Sequence, residues 1–570
     1  MPPSSSAKLR FGPYELDPLA LELRKLDRRI RIRPQACKIL AFLISRPGEV
    51  VTREELRRHL WSDEMFVDFE HSLNFCIRQI RSALGESADA PNYIETLPRV
   101  GYRFLASSKP TVHSIAVLPF QNSGSEPDIE YLSDGITESI IRQVALIPGI
   151  QVMARSTVFR FKKKDSKPLE VGRKLGVGAV VTGTVVERHG QIDVAVELVE
   201  VATGAQLWGA RYQRPSNEMV LIQGEIPTEI SKKLHFSLNR VEQKRVAATW
   251  TDNAEAYRSY LRGRHFWNKR QFEPAVQQFR LALDQDPLFA LAYAGLADCF
   301  GIMGFYGYLP PSDSWPKAKA AALKGLEIDA EVSEAHASLG FAKLFYDWDL
   351  IGSRESCRHA LDLSPNNHIA YQYLSCCLTA VREHAGAIEL MERARELDPL
   401  SAWSQTAVAF AYYFSGHFAR SVEESRKALE LDPGLPEAHR WLGVSLVQLG
   451  QYEEAIAELR IAATSLGETP AALGSLSRAY GRAGMTSEVE EIIQQLRGIA
   501  TRKKVAAASL AVAYSSVGKQ DEALDWLSRA VDNRSSWLAM LDAEPWWDPL
   551  RGDPRFEQIR LRIGLPKLAT

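Results

Sequence analysis

Along "EHSLNFCIRQIRSALGE", residues 70–86, Leu73, Ile77, Ile80 and Leu84 recur at i, i+4, i+7 and i+11. That spacing predicts one apolar stripe on a helix. The opposite face carries Phe75, Arg78, Gln79 and Ser82, with Arg81 beside the stripe. It offers hydrogen-bond donors and almost no carboxylate, whereas a helix that merely solvates itself shows water a mixture of charges. Far down the chain a longer rhythm takes over. Ser364-Pro365, Asp398-Pro399 and Asp432-Pro433 stand 34 residues apart. Self-similarity at that period marks a solenoid of helical pairs. Small residues such as Gly443, Ala455 and Ala462 sit where two helices would cross, and the Pro after each second helix ends it.

The middle region follows neither rhythm. "SIAVLPF" predicts a buried strand, and "LSDGITESIIRQVALIPG" a helix capped by Ser133 or Asp134. Strand-like "IQVMAR", helix-like "EVGRKLG" and the strand run "AVVTGTVVERHGQIDVAVELVEVATGAQLWGARY" complete a small α/β domain. "GVGAVVTG" does not meet the dinucleotide fingerprint, because Val181 stands where its last glycine belongs and a strand, not a helix, is expected next.

The fold class read from this pattern is multidomain α+β. A small domain occupies residues 8–106, an α/β domain 112–240 and an all-α solenoid of about eight repeats 254–540, with a capping segment over 541–570. With 570 residues, 45% hydrophobic and 24% charged, the chain exceeds one core and suits several domains. Residues 1–108 hold 17 Lys and Arg against 14 Asp and Glu, a net of +3, against −1 for the whole chain. Any nucleic-acid reading therefore rests on where charges lie, not on their sum. The six cysteines show no C-x-x-C pair or metal-like spacing, so neither metal nor cofactor is expected. No window approaches the ~20 apolar residues of a membrane span and no signal-peptide core is visible, which points to the cytoplasm. Neither H-E-x-x-H nor a nucleophile motif occurs, so no enzyme is expected.

Three resemblances give these regions meaning. "RPGEVVTREEL" followed by "IETLPRVGYRF" resembles the OmpR/PhoB-type winged-helix DNA-binding domain, with Thr52 and Glu55 forming a capping box. The resemblance implies that the helix of residues 70–86 enters the major groove of double-stranded DNA with Phe75, Arg78, Gln79 and Ser82. It assigns Arg81 to phosphate and Arg99 and Arg103 to the wing, suited to a narrow minor groove or its phosphates. The bland alternative is that Arg78 and Arg81 solvate the helix and pair with Glu70 or Glu86. This sequence also departs from the family, which often has a glycine where Arg99 stands. "IAVLPF", "YLSDGITESI" and "GAVVTGTV" resemble a TolB N-terminal-like domain, and the 34-residue unit resembles tetratricopeptide repeats.

The domain order resembles CadC- and HilA-type transcriptional regulators. Only about ten residues precede Phe11, so no receiver domain is expected, and "ASSKPTV" joins the first two domains without a membrane span. Trp403, Phe410, Tyr413 and Phe414 fall at concave-face positions of one repeat and could anchor a peptide or small ligand, or pack between helices. "RFKKKDSK", residues 160–167, is either a solvated loop or an auxiliary DNA contact. The function read from all this is sequence-specific transcriptional regulation. The repeats would receive a protein or ligand signal, and two copies could bind tandem half-sites. An interaction scaffold and a small-molecule sensor are the alternatives.

Overall fold

Leu73, Ile77, Ile80 and Leu84 are all buried, so the apolar stripe becomes the centre of the first core. The computed structural model describes residues 9–11, 14–25, 28–60, 69–86, 91, 93–105, 112–123, 130–162, 166–234, 236, 238–467, 469–502 and 505–565. The joining segment "ASSKPTV" falls almost wholly outside them. The chain forms two compact units, Met1–His113 and Ser114–Thr570.

The first unit opens with a four-stranded antiparallel sheet, β1 (Leu9–Phe11), β2 (Tyr14–Asp17), β3 (Glu22–Lys25) and β4 (Arg28–Ile30). Helices α1 (Pro34–Ile44), α2 (Arg53–Leu60) and α3 (Phe69–Leu84) follow, with the short strand β5 (Val50–Thr52) before α2. The hairpin β6 (Ile94–Leu97) and β7 (Gly101–Phe104) completes a second sheet in the order β5-β7-β6. Leu16, Leu23, Ile39, Leu40, Leu43, Leu56, Ile94 and Phe104 close the core over α3. The Tyr14 hydroxyl donates to the Leu84 carbonyl oxygen at 2.8 Å, tying the first sheet to the end of α3. The capping box forms at α2: the Glu55 carboxylate accepts from the Thr52 N–H at 2.7 Å, and Thr52 Oγ1 accepts from the Glu55 N–H at 3.2 Å. The Thr52 N–H bond, with a second from the Thr52 hydroxyl to the carboxylate at 2.7 Å, holds the Glu55 carboxyl below the usual range. Gly101 must be glycine, because a Cβ there would stand 2.1 Å from the Val51 carbonyl oxygen across the sheet.

The second unit begins with a six-stranded sheet. Strands β8 (Ser114–Val117), β10 (Gln151–Val152) and β11 (Ala179–Arg188) run parallel, with β9 (Gln121–Asn122) beside β11. Strands β12 (Gln191–Glu200) and β13 (Gln206–Pro215) add on antiparallel in the order β10-β8-β11-β12-β13. His189 and Gly190, both at positive φ, make the two-residue β11–β12 turn. Helices α4 (Glu130–Val144), α5 (Arg155–Val158), α6 (Pro168–Leu175), α7 (Ile222–Lys233) and α8 (Arg240–Ala247) accompany the sheet. Ser133 and Asp134 do not cap α4. The helix starts at Glu130, three residues before Ser133, whose hydroxyl donates back to the Glu130 carbonyl oxygen at 3.0 Å.

Helix pairs then fill the rest: α9 (Ala254–Asn268) with α10 (Phe272–Gln285), α11 (Ala290–Phe305) with α12 (Pro311–Ile328), α13 (Ser333–Ala342) with α14 (Leu350–Leu363), and α15 (His368–Ala380) with α16 (His384–Leu397). They continue as α17 (Ala402–Phe414) with α18 (Phe418–Leu431), α19 (Pro436–Gln448) with α20 (Tyr452–Ser465), α21 (Pro470–Arg482) with α22 (Thr486–Arg502), and α23 (Ala507–Ser516) with α24 (Gln520–Asp532). The period read from the Pro dipeptides reappears in the helix starts at His368, Ala402, Pro436 and Pro470. A last helix, α25 (Pro554–Ile563), packs on α24. The stretch before it reaches further back. Ser536 Oγ accepts from the Trp315 indole at 3.0 Å, and Glu544 accepts from the Tyr413 hydroxyl at 2.7 Å. The closing segment therefore buttresses the middle of the solenoid as well as its end.

The sheet domain and the solenoid share a polar seam. Glu138 on α4 receives Arg264 at 2.7 Å and Arg155 at 3.0 Å, while Arg142 reaches Glu334 at 2.5 Å. Burial pushes the Glu138 carboxyl up, but Arg264, Arg155 and Arg142 outweigh it and hold the group at about 2. Asp398, at the end of α16, accepts from Ser156 Oγ at 2.6 Å and Thr157 Oγ1 at 2.8 Å. Asn366 binds the Ala145 and Ile150 carbonyl oxygens at 3.0 and 2.9 Å. Gly135 lets α4 approach α9, since a Cβ there would meet Leu261 at 2.8 Å.

Candidate nucleic-acid interface

Burying the stripe turns the other face of α3 to solvent. His71, Asn74, Phe75, Arg78 and Ser82 are exposed, and Gln79 is half-buried. Arg78 pairs with neither Glu70 nor Glu86. Glu70 is taken by Arg53, and Glu86 accepts from the Tyr93 and Ile94 N–H groups at 2.6 and 3.1 Å. Arg78 Nε makes a long 3.4 Å bond to the Asn74 carbonyl oxygen, one turn back on its own helix. Phe75 is 38% exposed, an apolar group suited to a thymine methyl.

The structure adds a residue that α3's periodicity could not reveal. The Arg33 guanidinium, immediately before α1, lies 4.7 Å from the Phe75 ring centroid. Its backbone N–H donates to Gln79 Oε1 at 3.1 Å. Bidentate recognition of adenine needs both the oxygen and the nitrogen of the amide. The Gln79 oxygen already accepts one bond from the start of α1 and keeps a second lone pair, so its place on the groove face stands as an expectation. Asn74 also belongs to this face. Its Oδ1 accepts from the Tyr102 hydroxyl at 3.1 Å, linking the helix to the wing strand.

Arg81 is corrected outright. It is 9% exposed, and its Nη2 donates to the Ile94 carbonyl oxygen at 2.7 Å and to Thr96 Oγ1 at 2.8 Å. A guanidinium so committed locks α3 to the hairpin and does not reach phosphate. On the hairpin, Arg103 pairs across the sheet with Glu95 at 3.4 Å. Arg99 is exposed at the turn, where the Val100 N–H donates to the Leu97 carbonyl oxygen at 3.0 Å. It sits at φ 63° after Pro98, the glycine position of a type II turn. A bulky residue there carries a strain of about 1–3 kcal/mol. Arg31, Arg33, Lys38, Arg78 and Arg99 carry no carboxylate partner among the described residues.

The aromatic cluster of the fifth repeat divides in two. Trp403 and Phe410 line a cavity of about 550 Å³ between the sheet domain and the repeats. Tyr413 and Phe414 do not: they are 0% and 4% exposed, and the Tyr413 hydroxyl is held by Glu544. Those two are core, not a partner site. In the basic run, Arg160 donates to the Leu431 carbonyl oxygen at 2.9 Å and Lys162 binds Asp134 at 2.6 Å. Both serve unit 2 internally, while residues 163–165 lie outside the described residues. Among the described residues no His, Cys, Asp and Glu group could hold a metal ion, and no helix is long and apolar enough to cross a membrane.

Comparison with known proteins matches this geometry region by region. Residues 27–104 fit the family model of the transcriptional regulatory protein C-terminal domain, and residues 111–227 that of the HilA/YgeH-like transcriptional regulator second domain. Residues 407–472 fit the tetratricopeptide repeat. The chain is 24% identical to transcriptional regulator HilA of Salmonella typhimurium, over 73% of this chain and 75% of that one. It is 30% identical to putative adenylate cyclase 3 of Rhizobium meliloti, over 41% of this chain and 40% of that one. It is 33% identical to the phosphate regulon transcriptional regulatory protein PhoB of the same organism, over 17% of this chain and 42% of that one. The chain thus spans less than half of two of these relatives and three quarters of the third. It joins an OmpR/PhoB-type DNA-binding domain to a HilA-like second domain and tetratricopeptide repeats.

Proposed function

We propose that this DNA-binding transcriptional regulator reads its operator chiefly through Arg78, with Phe75 and Ser82 beside it in the major groove and Arg99 entering the neighbouring minor groove. The observation that carries the reading is Arg78 itself, exposed on α3 with no carboxylate partner among the described residues. An arginine so placed can bond guanine O6 and N7 bidentately, discriminating by about 1–3 kcal/mol. Arg33, stacked on Phe75, extends the basic surface to the start of α1 and suits a phosphate. The second domain and repeats receive the signal, and two copies on tandem half-sites gain affinity by effective concentration. The chain works by binding rather than by catalysis, and its DNA target places it in the cytoplasm.

The test is selection from a random duplex pool at two salt concentrations, with wild type beside Arg78→Ala. Wild type enriches a short motif whose affinity falls with salt. The variant keeps its fold but loses about 5- to 150-fold of its preference at one base pair. Uniform binding by both proteins would overturn the reading and make the repeats the functional centre.

A further inference from the structure

The cavity between the second domain and the repeats contains a buried charge with no ion pair among the described residues. Arg440 on α19 is 8% exposed. Its guanidinium lies 4.6 Å from the Trp441 ring centroid and 5.0 Å from that of Trp537. Among the described residues it donates no hydrogen bond and forms no ion pair. A guanidinium keeps its proton in proteins, so the charge stays. Indole faces compensate a desolvated cation by less than its loss of hydration. The carboxyls nearest in electrostatic terms, Glu544 and Glu437, are themselves pushed toward their neutral forms by burial.

The other buried arginines of the chamber are engaged, for Arg142, Arg155 and Arg264 serve Glu138 and Glu334, while Arg270 is exposed. Aromatic rings continue from the Arg440 clamp. Phe305 lies 5.0 Å from Trp537, Tyr306 5.0 Å from Phe305, and Trp403 6.2 Å from Tyr306, with Arg270 4.0 Å over Trp403. The stretch "GFYGYLPPSDSW", which runs from the end of α11 through the turn into α12, contributes Tyr306 and Tyr308 to this wall. A volume of about 550 Å³ falls in the range of small-molecule sites. The second domain already occupies part of the concave groove, which leaves a chamber rather than a track for an extended peptide.

We propose that this chamber binds a small organic acid with a planar apolar body, its carboxylate paired with Arg440 and its body lying along the aromatic wall. A guanidinium fork matches a carboxylate bidentately. A phosphate dianion would call for further donors, and the chamber's remaining buried arginines are taken. Because Glu138, Arg142 and Arg155 of the second domain also line the chamber, the acid would occupy a space built by both partners of the seam. The inference identifies the ligand class behind the signal proposed above and does not depend on which residue reads DNA.

The experiment is calorimetric titration of the full chain with 2-naphthoate and with its neutral counterpart 2-naphthamide. Naphthoate is expected to bind at least about tenfold more tightly than the amide. Arg440→Met should abolish that preference while amide binding and the near-ultraviolet dichroism persist. Arg78→Ala should bind naphthoate as wild type does, so that a failed DNA reading leaves this result standing. Equal affinity for acid and amide in wild type, or no naphthoate binding at millimolar concentration, would overturn the proposal. That comparison decides even if Arg440→Met does not fold.

Discussion

The Arg81 guanidinium and the Ile94 carbonyl oxygen are 2.7 Å apart, and this bond, with the one to Thr96, holds the recognition helix against the wing. Removing it leaves buried acceptors unmatched, at a cost of about 1–3 kcal/mol. Arg81→Met should therefore lower the denaturant midpoint while leaving the salt slope of DNA binding unchanged. Loss of one phosphate contact would instead flatten that slope by about 0.9. A flatter slope with unchanged stability would restore Arg81 to the DNA surface.

Arg99 makes the opposite case. Its backbone stands where glycine is favoured, at φ 63°, so Arg99→Gly relieves strain while loosening the unfolded chain. The two effects offset, and stability should stay within about 1 kcal/mol. DNA affinity should nevertheless drop and its salt slope shrink by about 0.9. Unchanged DNA binding in this variant would show that the left-handed arginine has no part in recognition.

Glu544 gives the second unit a pH signature. Burial pushes its carboxyl up to about 7, against the bonds it accepts from Tyr413 and the Trp546 N–H. The folded chain then binds this proton more tightly than the unfolded chain, so stability is full below about 4.5 and declines as pH rises through 7. Glu544→Gln should flatten that decline and gain about 1–3 kcal/mol on wild type at pH 8 relative to pH 5. Asp298, which burial raises to about 6, leaves a smaller slope of the same sign at lower pH. Parallel pH profiles for wild type and variant would refute the assignment.

Much of this architecture is legible in the chain because it is local or periodic. The α3 stripe, the Thr52–Glu55 box and the 34-residue rhythm each depend on residues within a turn or a repeat. What escaped reading depends on contacts distant in sequence. Whether Arg81 faces solvent is decided by where the Ile94 carbonyl lands, 13 positions later. Trp403 and Tyr413 share a repeat, yet Tyr413 is claimed by Glu544, 131 positions on. Arg33 joined the interface only because α1 starts beside Phe75. Ser133 favoured a later α4 start because its type suits a cap, yet the helix begins a turn earlier.

Asp398 has a consequence for the order in which the molecule can mature. Thr157, whose hydroxyl it accepts, is synthesised 241 residues earlier. At about 5–20 residues per second, a nascent second domain waits roughly 12–48 s for the fourth repeat to arrive. Glu138 waits a shorter time for Arg264, 126 residues on. Through that interval α4 and α5 present unmatched hydroxyls and a Glu138 carboxylate held by Arg155 but still without Arg264. A chain cut between the sheet domain and the repeats would remain in that half-made condition, so the natural place to divide this protein is before Ser114, not after residue 240.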